Sequence, residues 1–425
     1  MQKIIINKLG PIDYAELECT KWMVFIGAQS TGKSTVAKAI FFFRKVGESI
    51  FDLLVENTML TKVSDTENFT HKIMTALSER FMDIFSSFVM SKDTSVQFYY
   101  ANETYIKISF LLENDINIDF SENIVQYLIE VDADILTYRE LSTELSKSFS
   151  NSEKNSKWIY RERAKLRKLF EDKYKNIYLP AGRSMISLLA EKLDRMLFTM
   201  NDSQKQMLDF CIRCYLEDVL ELRPVFNSFL ERKLSKKTAL ELTEKILNAT
   251  YSYGDGNERL ELPNGQHISL SRASSGQQEV VWVTNLLIYS LLHDKQKFAF
   301  IIEEPESNLY PETQKQLIDL IALTANQGNN IIITTHSPYI LGSINNLLYA
   351  GQFAKQNAEL ATKASKIIDK DFWIDRADLS AWHVKDGTVT NCIDDEIGLI
   401  QDELIDEISG VINKEYADLL DIEED

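Results

Sequence analysis

The segment at residues 23–38 constrains the fold of this chain more than any other. Residues 23–26 are apolar and predict a short buried strand. The pattern G-x-x-x-x-G-K-[ST] follows, whose glycines permit a tight turn and whose backbone N–H groups form a nest for phosphate. A helix beginning near Lys33 adds the positive end of its dipole. The predicted phosphate-binding residues are Gly27, Ala28, Gln29, Ser30, Thr31, Gly32, Lys33, Ser34 and Thr35.

Two side chains of this loop are expected to carry its chemistry. Lys33 is expected to face solvent and to reach the β- and γ-phosphates of a nucleotide, and the Ser34 hydroxyl to ligate Mg²⁺. The alternative is a glycine-containing turn that fits the pattern by chance. The strand and helix on either side of the loop favour the phosphate site.

Length and composition restrict the class of protein. A chain of 425 residues has room for one large or two moderate domains. It shows no apolar run of membrane-spanning length and no signal-peptide pattern, so we expect a cytoplasmic protein without a membrane partner. Its four cysteines are too few for a disulfide scaffold. For the C-x-x-C of Cys211 and Cys214, ordinary helix residues are favoured over a zinc or redox pair.

Strands alternate with helices at both ends of the chain, which predicts an α/β fold: a mixed sheet flanked by helices, with a large, mainly helical insertion. The predicted head is discontinuous and comprises residues 1–45 and 175–350. Residues 46–174 are expected to form a hairpin, at 96–112, and a helical insertion, with part of the segment inside the head. Residues 351–425 are expected to form a strand-turn and an acidic amphipathic helix. Packing of its apolar stripe on its own domain is favoured, and a contact between subunits is the alternative.

The net charge of −18 argues against a chain that coats nucleic acid over its whole surface. Residues 154–175 are nevertheless rich in lysine and arginine. A solvated helix face is the favoured interpretation of this stretch. A contact surface for a phosphate backbone or an acidic partner is the alternative, so nucleic-acid binding stays open.

Three polar loops follow the phosphate loop, each at the end of a buried strand or the start of a helix. Ser274-Ser275-Gly276-Gln277 opens a helix with small residues and exposed N–H groups, a second anion site or a simple helix cap. Glu303 and Glu304 follow an apolar strand, where one carboxylate can hold Mg²⁺ and the next can position water. His336 follows the next apolar strand and can hydrogen-bond a phosphate or a water.

In this order the motifs resemble the ABC-type ATPases of the SMC and DNA-repair branch. They are most similar to the AAA15/AAA21 group, which includes the ATPase half of the overcoming-lysogenization-defect (OLD) nucleases and ATPases of several anti-phage systems. N-K-L-G-P-I at 7–12 and Y-L-P-A-G-R at 178–183 also look like that group. The resemblance covers residues 1–45 and 175–350, and more weakly 378–420.

The resemblance implies an ABC-type head that binds ATP and Mg²⁺ and hydrolyses ATP to ADP and phosphate. In such a site Ser34 and Glu303 would bind the metal. Glu304 would polarise the attacking water, with Glu306 as the alternative carboxylate, and His336 would sense the γ-phosphate.

The resemblance also implies a homodimer or higher oligomer. Ser274 and Gly276 of the signature would contact the γ-phosphate bound to the other subunit, so that two chains sandwich two nucleotides. Ser307-Asn308-Leu309 matches the D-loop, which passes between subunits.

The chain departs from the family pattern at several points. Glu303 stands where the family usually has Asp, and only Gln97 and Gln126 are candidates for the Q-loop residue. The insertion shows no heptad arms and no zinc hook. About ninety residues follow His336, which is short for the TOPRIM nuclease domain of OLD proteins, so a chain without its own nuclease is expected. Gly182-Arg183, between a strand and a helix, places a guanidinium at a helix N-terminus or on a surface turn.

Three functions remain open at this point. The first is an ATP-driven sensor or scaffold of a bacterial anti-phage defence module, with a separately encoded nuclease or toxin as effector. The second is a DNA-maintenance ATPase that binds DNA through residues 154–175. The third is an assembly module locked by ATP, with negligible turnover.

Overall fold

The computed structural model describes residues 1–59, 68–112, 115–144, 150–171, 173–187, 208–227, 237–293, 295–401 and 414–415. The strands are β1 (Lys3–Leu9), β2 (Ile12–Glu18), β3 (Trp22–Ile26), β4 (Ser95–Ala101), β5 (Thr104–Leu112), β6 (Asp115–Phe120), β7 (Tyr174–Leu179), β8 (Thr250–Gly254), β9 (Asn257–Glu261), β10 (His267–Ser269), β11 (Lys297–Glu303), β12 (Asn330–Thr335), β13 (Leu379–Lys385) and β14 (Thr388–Asn391). The helices are α1 (Lys33–Met59), α2 (Phe69–Phe85), α3 (Glu122–Glu144), α4 (Ser150–Leu169), α5 (Phe210–Leu222), α6 (Lys237–Leu247), α7 (Ser275–Leu292), α8 (Pro311–Asn326), α9 (Pro338–Gln356) and α10 (Ala358–Ala364).

An 11-stranded mixed sheet organises the described chain, in the order β6-β5-β4-β1-β2-β14-β13-β3-β12-β11-β7. The run β13-β3-β12-β11-β7 is parallel throughout. The run β6-β5-β4-β1-β2 is antiparallel. A separate sheet has the order β10-β9-β8. The predicted fold class, an α/β fold with a large sheet flanked by helices, is confirmed.

The central parallel strands are buried on both faces, as continuous apolar runs predict. Successive side chains of a strand point to opposite faces, so each strand contributes to two cores. In β3, Val24 packs into the core formed with α7, α8 and α9, whereas Phe25 packs into the core formed with α1 and α2. The strand that leads into the phosphate loop is therefore fixed from both sides.

Helix α1 is longer than the sequence indicates. The sequence predicts a helix from about Ser34 to Arg44, but α1 continues to Met59. Val46, Ile50 and Leu54 repeat at four-residue spacing and are buried in one core, so they extend the apolar stripe of the first turns. This continuous stripe explains why α1 continues into the predicted insertion.

The hairpin predicted at 96–112 is confirmed as β4 and β5. Its strand β4 pairs with β1, so the hairpin extends the main sheet. The short strands β6 and β8 are not predicted from the sequence, and each pairs with a neighbouring strand. The apolar stripe predicted near the C-terminus lies mostly outside the described residues.

The basic helix α4 has much of its charge paired. Arg161 contacts Asp134 of α3 at 3.2 Å, and Lys165 contacts the buried Glu162 at 3.2 Å. The Arg163 guanidinium lies over the ring of Phe51. These contacts within the chain favour the interpretation of a solvated face over a phosphate-backbone surface.

Two further expectations concern cysteines and membranes. Cys211 and Cys214 are buried in α5, and burial raises the pKa of both thiols, to about 12 for Cys214. A thiol with so high a pKa is a poor metal ligand or nucleophile, which agrees with the interpretation of Cys211 and Cys214 as ordinary helix residues.

Within the residues that the structure describes, no helix is long and apolar enough to cross a membrane.

Candidate functional site

The site lies at the carboxyl edge of the parallel strands. Strand pairing sets Ile26 beside Thr335, and Thr334 beside Glu303. Because β3, β12, β11 and β7 run parallel, the loops that follow them meet at one edge of the sheet. These loops are the phosphate loop, the His336 loop, the Glu303–Glu304 turn and the turn that contains Arg183.

The phosphate loop packs directly against β13. A Cβ atom at Gly27 would lie 2.3 Å from the carbonyl oxygen of Val384, so no larger residue fits without a backbone shift. Ser30 has a left-handed backbone with a φ of 64°, which turns the loop toward α1. The predicted tight turn is therefore present, with Ser34 exposed in the first turn of α1.

Lys33 is buried, and the expectation that it faces solvent is wrong. Its side chain folds back along the loop, where Nζ donates to the carbonyls of Gly27 at 2.8 Å and Ala28 at 2.7 Å. Burial lowers the pKa of Lys33, while the carboxylates of Glu304 and Glu306 act to raise it. The ammonium is thus within electrostatic reach of the predicted catalytic carboxylates.

Glu303 fits a divalent cation. It is buried at the end of β11, and its Oε2 accepts a hydrogen bond from the Ala181 backbone at 3.1 Å. Its Oε1 is buried and receives no hydrogen bond of normal geometry among the described residues, although the buried Tyr178 hydroxyl interacts with the same carboxylate. Such an oxygen is costly unless a cation or a proton meets it. Ser34 and Glu303 would hold Mg²⁺ here, and the cation would supply positive charge to neutralise the phosphates.

Glu304 and His336 are brought together, as predicted. Glu304 Oε1 lies 3.8 Å from His336 Nδ1. The Glu304 side chain is partly exposed and its Oε2 accepts a hydrogen bond from Ser307 of the D-loop at 3.4 Å. An accessible carboxylate in this position can accept a proton from water.

The backbone of Glu304 is strained. Its φ of 42° is left-handed, which is unfavourable for any residue with a Cβ, and its N–H donates to the carbonyl of Thr334 at 2.9 Å. Strain of this kind persists where the surrounding structure determines it, and it gathers at functional sites. This turn changes the direction of the backbone where β11 ends.

We therefore expect Glu304→Gly to be more stable than Glu304→Ala by about 1 kcal/mol, because both lose the carboxylate but only glycine accepts the left-handed backbone without strain. The urea midpoints of the two variants measure the difference, with Glu303→Ala as a control of ordinary backbone. Equal midpoints would show that the turn at Glu304 carries no strain.

Arg183 is fully buried, which excludes the surface turn. Its Nη1 donates to the carbonyl of Glu303 at 2.6 Å and its Nη2 to that of Glu304 at 3.2 Å. Its guanidinium also pairs with Glu279 of α7, whose carboxylate accepts the backbone N–H groups of Arg183 and Ser184. Arg183 thus ties the carboxylate turn to the helix that the signature opens.

Sequence reasoning missed Glu279. It lies one turn after the start of an otherwise apolar helix, and this isolated charge is the signal that could have indicated a buried partner. The pairing with Arg183 joins residues 96 positions apart, so no local pattern reveals it.

The signature loop is a helix cap in this structure. Ser274 Oγ accepts from the Gln277 backbone at 3.3 Å, and Gln277 Oε1 accepts from the Ser274 backbone at 3.1 Å, which forms a capping box. A Cβ at Gly276 would lie 2.7 Å from the carbonyl oxygen of Asn308, so the signature packs closely on the D-loop of its own chain. No described hydrogen bond joins residues 274–277 to the phosphate loop.

The two Q-loop candidates lie elsewhere. Gln97 is in the middle of β4, paired with Ile5, and its side chain donates to the Tyr99 hydroxyl. Gln126 is exposed on α3. No described hydrogen bond connects either glutamine with the phosphate loop, so neither gains support as a nucleotide ligand.

Comparison with protein families matches residues 1–341 to AAA_15, described as an AAA ATPase domain. The chain belongs to this family. The match spans the phosphate loop, the signature, the carboxylate turn and His336. The chain therefore contains an ATPase domain of this family, which supports ATP as its nucleotide. A comparison with curated proteins gives no match.

Solved structures with similar folds include SMC head domains. An SMC head bound to the C-winged helix domain of ScpA is 11% identical, with 92% of this chain and 95% of that chain covered and a TM-score of 0.43. An SMC head with an extended coiled coil bound to the C-terminal domain of ScpA from Pyrococcus furiosus is 11% identical, with 92% and 96% covered and a TM-score of 0.38. The SMC head from Thermotoga maritima is 10% identical, with 92% and 97% covered and a TM-score of 0.36.

Proposed function

We propose that this AAA_15 protein is an ABC-type ATPase that binds Mg²⁺-ATP and hydrolyses it to ADP and phosphate. The observation that carries this proposal is the convergence of Lys33, Glu304 and His336 at one edge of the sheet, beside a phosphate loop of the required sequence. Three groups of complementary chemistry meet there: an ammonium, an accessible carboxylate and an imidazole. Phosphoryl transfer to water needs this combination of positive charge and a water-positioning group.

Each residue has a role within the proposed reaction. Backbone N–H groups of residues 27–35 and the Lys33 ammonium bind the phosphates. Ser34 and Glu303 hold Mg²⁺. Glu304 orients and deprotonates the attacking water, and His336 hydrogen-bonds the γ-phosphate side of the site.

The complete site is proposed to form between two chains. Ser274 and Ser275 are exposed at the N-terminus of α7, where backbone N–H groups and small side chains suit an anion. Within one chain this loop contacts the D-loop rather than the phosphate loop. A second copy could supply its signature to the first copy's nucleotide, with Ser307-Asn308-Leu309 between the subunits, in a homodimer or larger closed assembly.

At the level of the cell, we propose a cytoplasmic sensor or scaffold of a bacterial anti-phage defence module, whose effector, a nuclease or toxin, is a separate protein. The likeness of the motif set to defence ATPases supports this role. Direct DNA binding has less support, because Arg161, Lys165 and Arg163 of α4 already have partners within the chain.

Lys33→Ala should abolish ATP binding, since the loop loses the cation that contacts the β- and γ-phosphates. Because Lys33 is buried and bonded to loop carbonyls, Lys33→Met is the matched control: it keeps the buried stem and removes only the charge. Titration of fluorescent ATP should give affinities reduced at least about 100-fold for both variants, equivalent to about 3 kcal/mol. Wild-type affinity in either variant would refute the site.

The same two variants, Lys33→Ala and Lys33→Met, test the proposed role in defence. Cells that express the chain with its neighbouring genes should survive phage challenge only when Lys33 is present, whereas protection by both variants would reject an ATP-driven sensor. Protection by wild type without measurable turnover would favour the ATP-locked assembly.

A further inference from the structure

Glu306 is a buried carboxylate next to His336. It follows the Glu304 turn, and its Oε1 accepts hydrogen bonds from Thr335 Oγ1 at 2.7 Å and from the backbone N–H of His336 at 2.9 Å. The same oxygen lies 3.4 Å from Nδ1 of the His336 ring. Its side chain is 6% exposed, whereas that of His336 is 47% exposed.

These contacts separate the role of Glu306 from that of Glu304. Oε1 of Glu306 already receives two hydrogen bonds, Oε2 is buried without a hydrogen-bond partner among the described residues, and burial keeps the carboxylate from bulk water. Hydrogen bonds to a charged acceptor are short and strong, so this carboxylate orders the backbone at His336. Glu306 is therefore poorly placed to activate water and well placed to fix a neighbour.

The D-loop and the His336 loop are also joined at a second point. Gln314 Nε2 donates to the carbonyl of Leu309 at 2.9 Å, and Ser337 Oγ donates to Gln314 Oε1 at 2.6 Å. The Leu309 N–H in turn donates to the carbonyl of Glu306 at 3.0 Å. Hydrogen bonds therefore connect the two loops at two points, Glu306 and Gln314, so the loops should move together.

We propose that Glu306 is a positioning residue that orients the His336 ring toward the nucleotide and links that ring to the D-loop. Nδ1 is the ring nitrogen nearest Glu306, in a 3.4 Å contact that is not a hydrogen bond in this structure. Because a carboxylate only accepts hydrogen bonds, the proposal places the ring hydrogen on Nδ1. Nε2 is then the ring nitrogen left for the nucleotide or its attacking water. The proposal rests on the proposed ATPase site, because it explains how that site fixes one of its groups.

Glu306→Gln tests this role with little change in shape. Its amide oxygen can still accept from Thr335 and from the His336 backbone, so the variant should fold, with a melting temperature within about 3 °C of wild type. Without the charged acceptor for the ring, kcat for ATP should fall about tenfold while KM changes less than about threefold. Glu359→Gln, an exposed carboxylate on α10, is the charge-matched control and should behave as wild type.

A double-mutant cycle isolates the path through the ring. If Glu306 acts through His336, then adding Glu306→Gln to His336→Ala should lower kcat by less than about twofold further. Multiplicative losses, or an unchanged kcat in Glu306→Gln alone, would overturn the proposal.

A spectroscopic measurement keeps the inference separate from the ATPase assignment. Long-range ¹H–¹⁵N spectra of the chain, which has five histidines, can identify His336 by the signals lost in His336→Ala. Wild type should show a hydrogen on Nδ1, and Glu306→Gln should change the tautomer ratio. An unchanged ratio refutes the positioning role even if ATP is hydrolysed. A changed ratio in a chain without turnover supports the role and rejects only the proposed hydrolysis.

Discussion

Glu304→Gln should bind ATP and hydrolyse it about 10³-fold more slowly than wild type. Glutamine keeps the size and hydrogen-bonding capacity of the side chain, but it cannot accept a proton from water. Ser307 and the backbone contact with Thr334 should still hold the turn. Steady-state phosphate release measures the loss, and light scattering should show that ATP now keeps two chains together.

Glu303→Gln is the matched comparison, since it changes the adjacent carboxylate in the same way. Its Oε2 position contacts the Ala181 backbone and its Oε1 is the proposed metal ligand, so Mg²⁺-dependent ATP binding should weaken while metal-free binding changes little. Titration of Mg²⁺ at fixed ATP distinguishes the two variants. Full turnover in Glu304→Gln would remove its assignment as the residue that activates water.

The parts of the site that follow from sequence are those with local signals. The phosphate loop has a fixed spacing, and the Glu303–Glu304 turn and His336 each follow an apolar run that is readable as a buried strand. Because parallel strands end at one edge of a sheet, residues that directly follow such strands, here Glu304 and His336, come close together.

The parts that could not be predicted depend on long-range packing. Lys33 lies buried against the carbonyls of its own loop, which depends on loop conformation rather than on residue type. The Arg183–Glu279 pair joins the turn after β7 to α7, and no periodicity reports such a contact. Likewise, α1 extends to Met59 because its apolar stripe packs in a buried core.

Buried Arg183 connects the signature helix to the carboxylate turn of the same chain. One guanidinium contacts the carbonyls of both carboxylate residues and the helix that the signature opens. The two elements therefore form one rigid unit within a chain, although the proposed site places them at different nucleotides. A substitution in the signature must be chosen so that it disturbs the partner's site without releasing this unit.

Mixing two inactive variants, Lys33→Ala and Ser274→Arg, should restore ATPase activity. In a mixed dimer the phosphate loop of the Ser274→Arg chain meets the intact signature of the Lys33→Ala chain, which gives one complete site. With random pairing at equal amounts, about a quarter of the wild-type activity is expected. Recovery on mixing, measured as phosphate release, supports a head-to-tail arrangement.

The structure determines which control this experiment needs. Ser274 caps α7, so arginine removes a cap worth about 1 kcal/mol as well as adding bulk and charge. Ser274→Ala removes the cap and the hydroxyl proposed to contact the partner's nucleotide, but it adds no bulk or charge. It should therefore still form the ATP-dependent dimer in light scattering, which assigns the loss of the dimer in Ser274→Arg to blocked closure. Gly276 is unsuitable, because a side chain there would collide with the Asn308 carbonyl of its own D-loop. If mixing restores nothing, and ATP leaves the wild-type chain monomeric, then the composite site is wrong and each chain must act through its own loops.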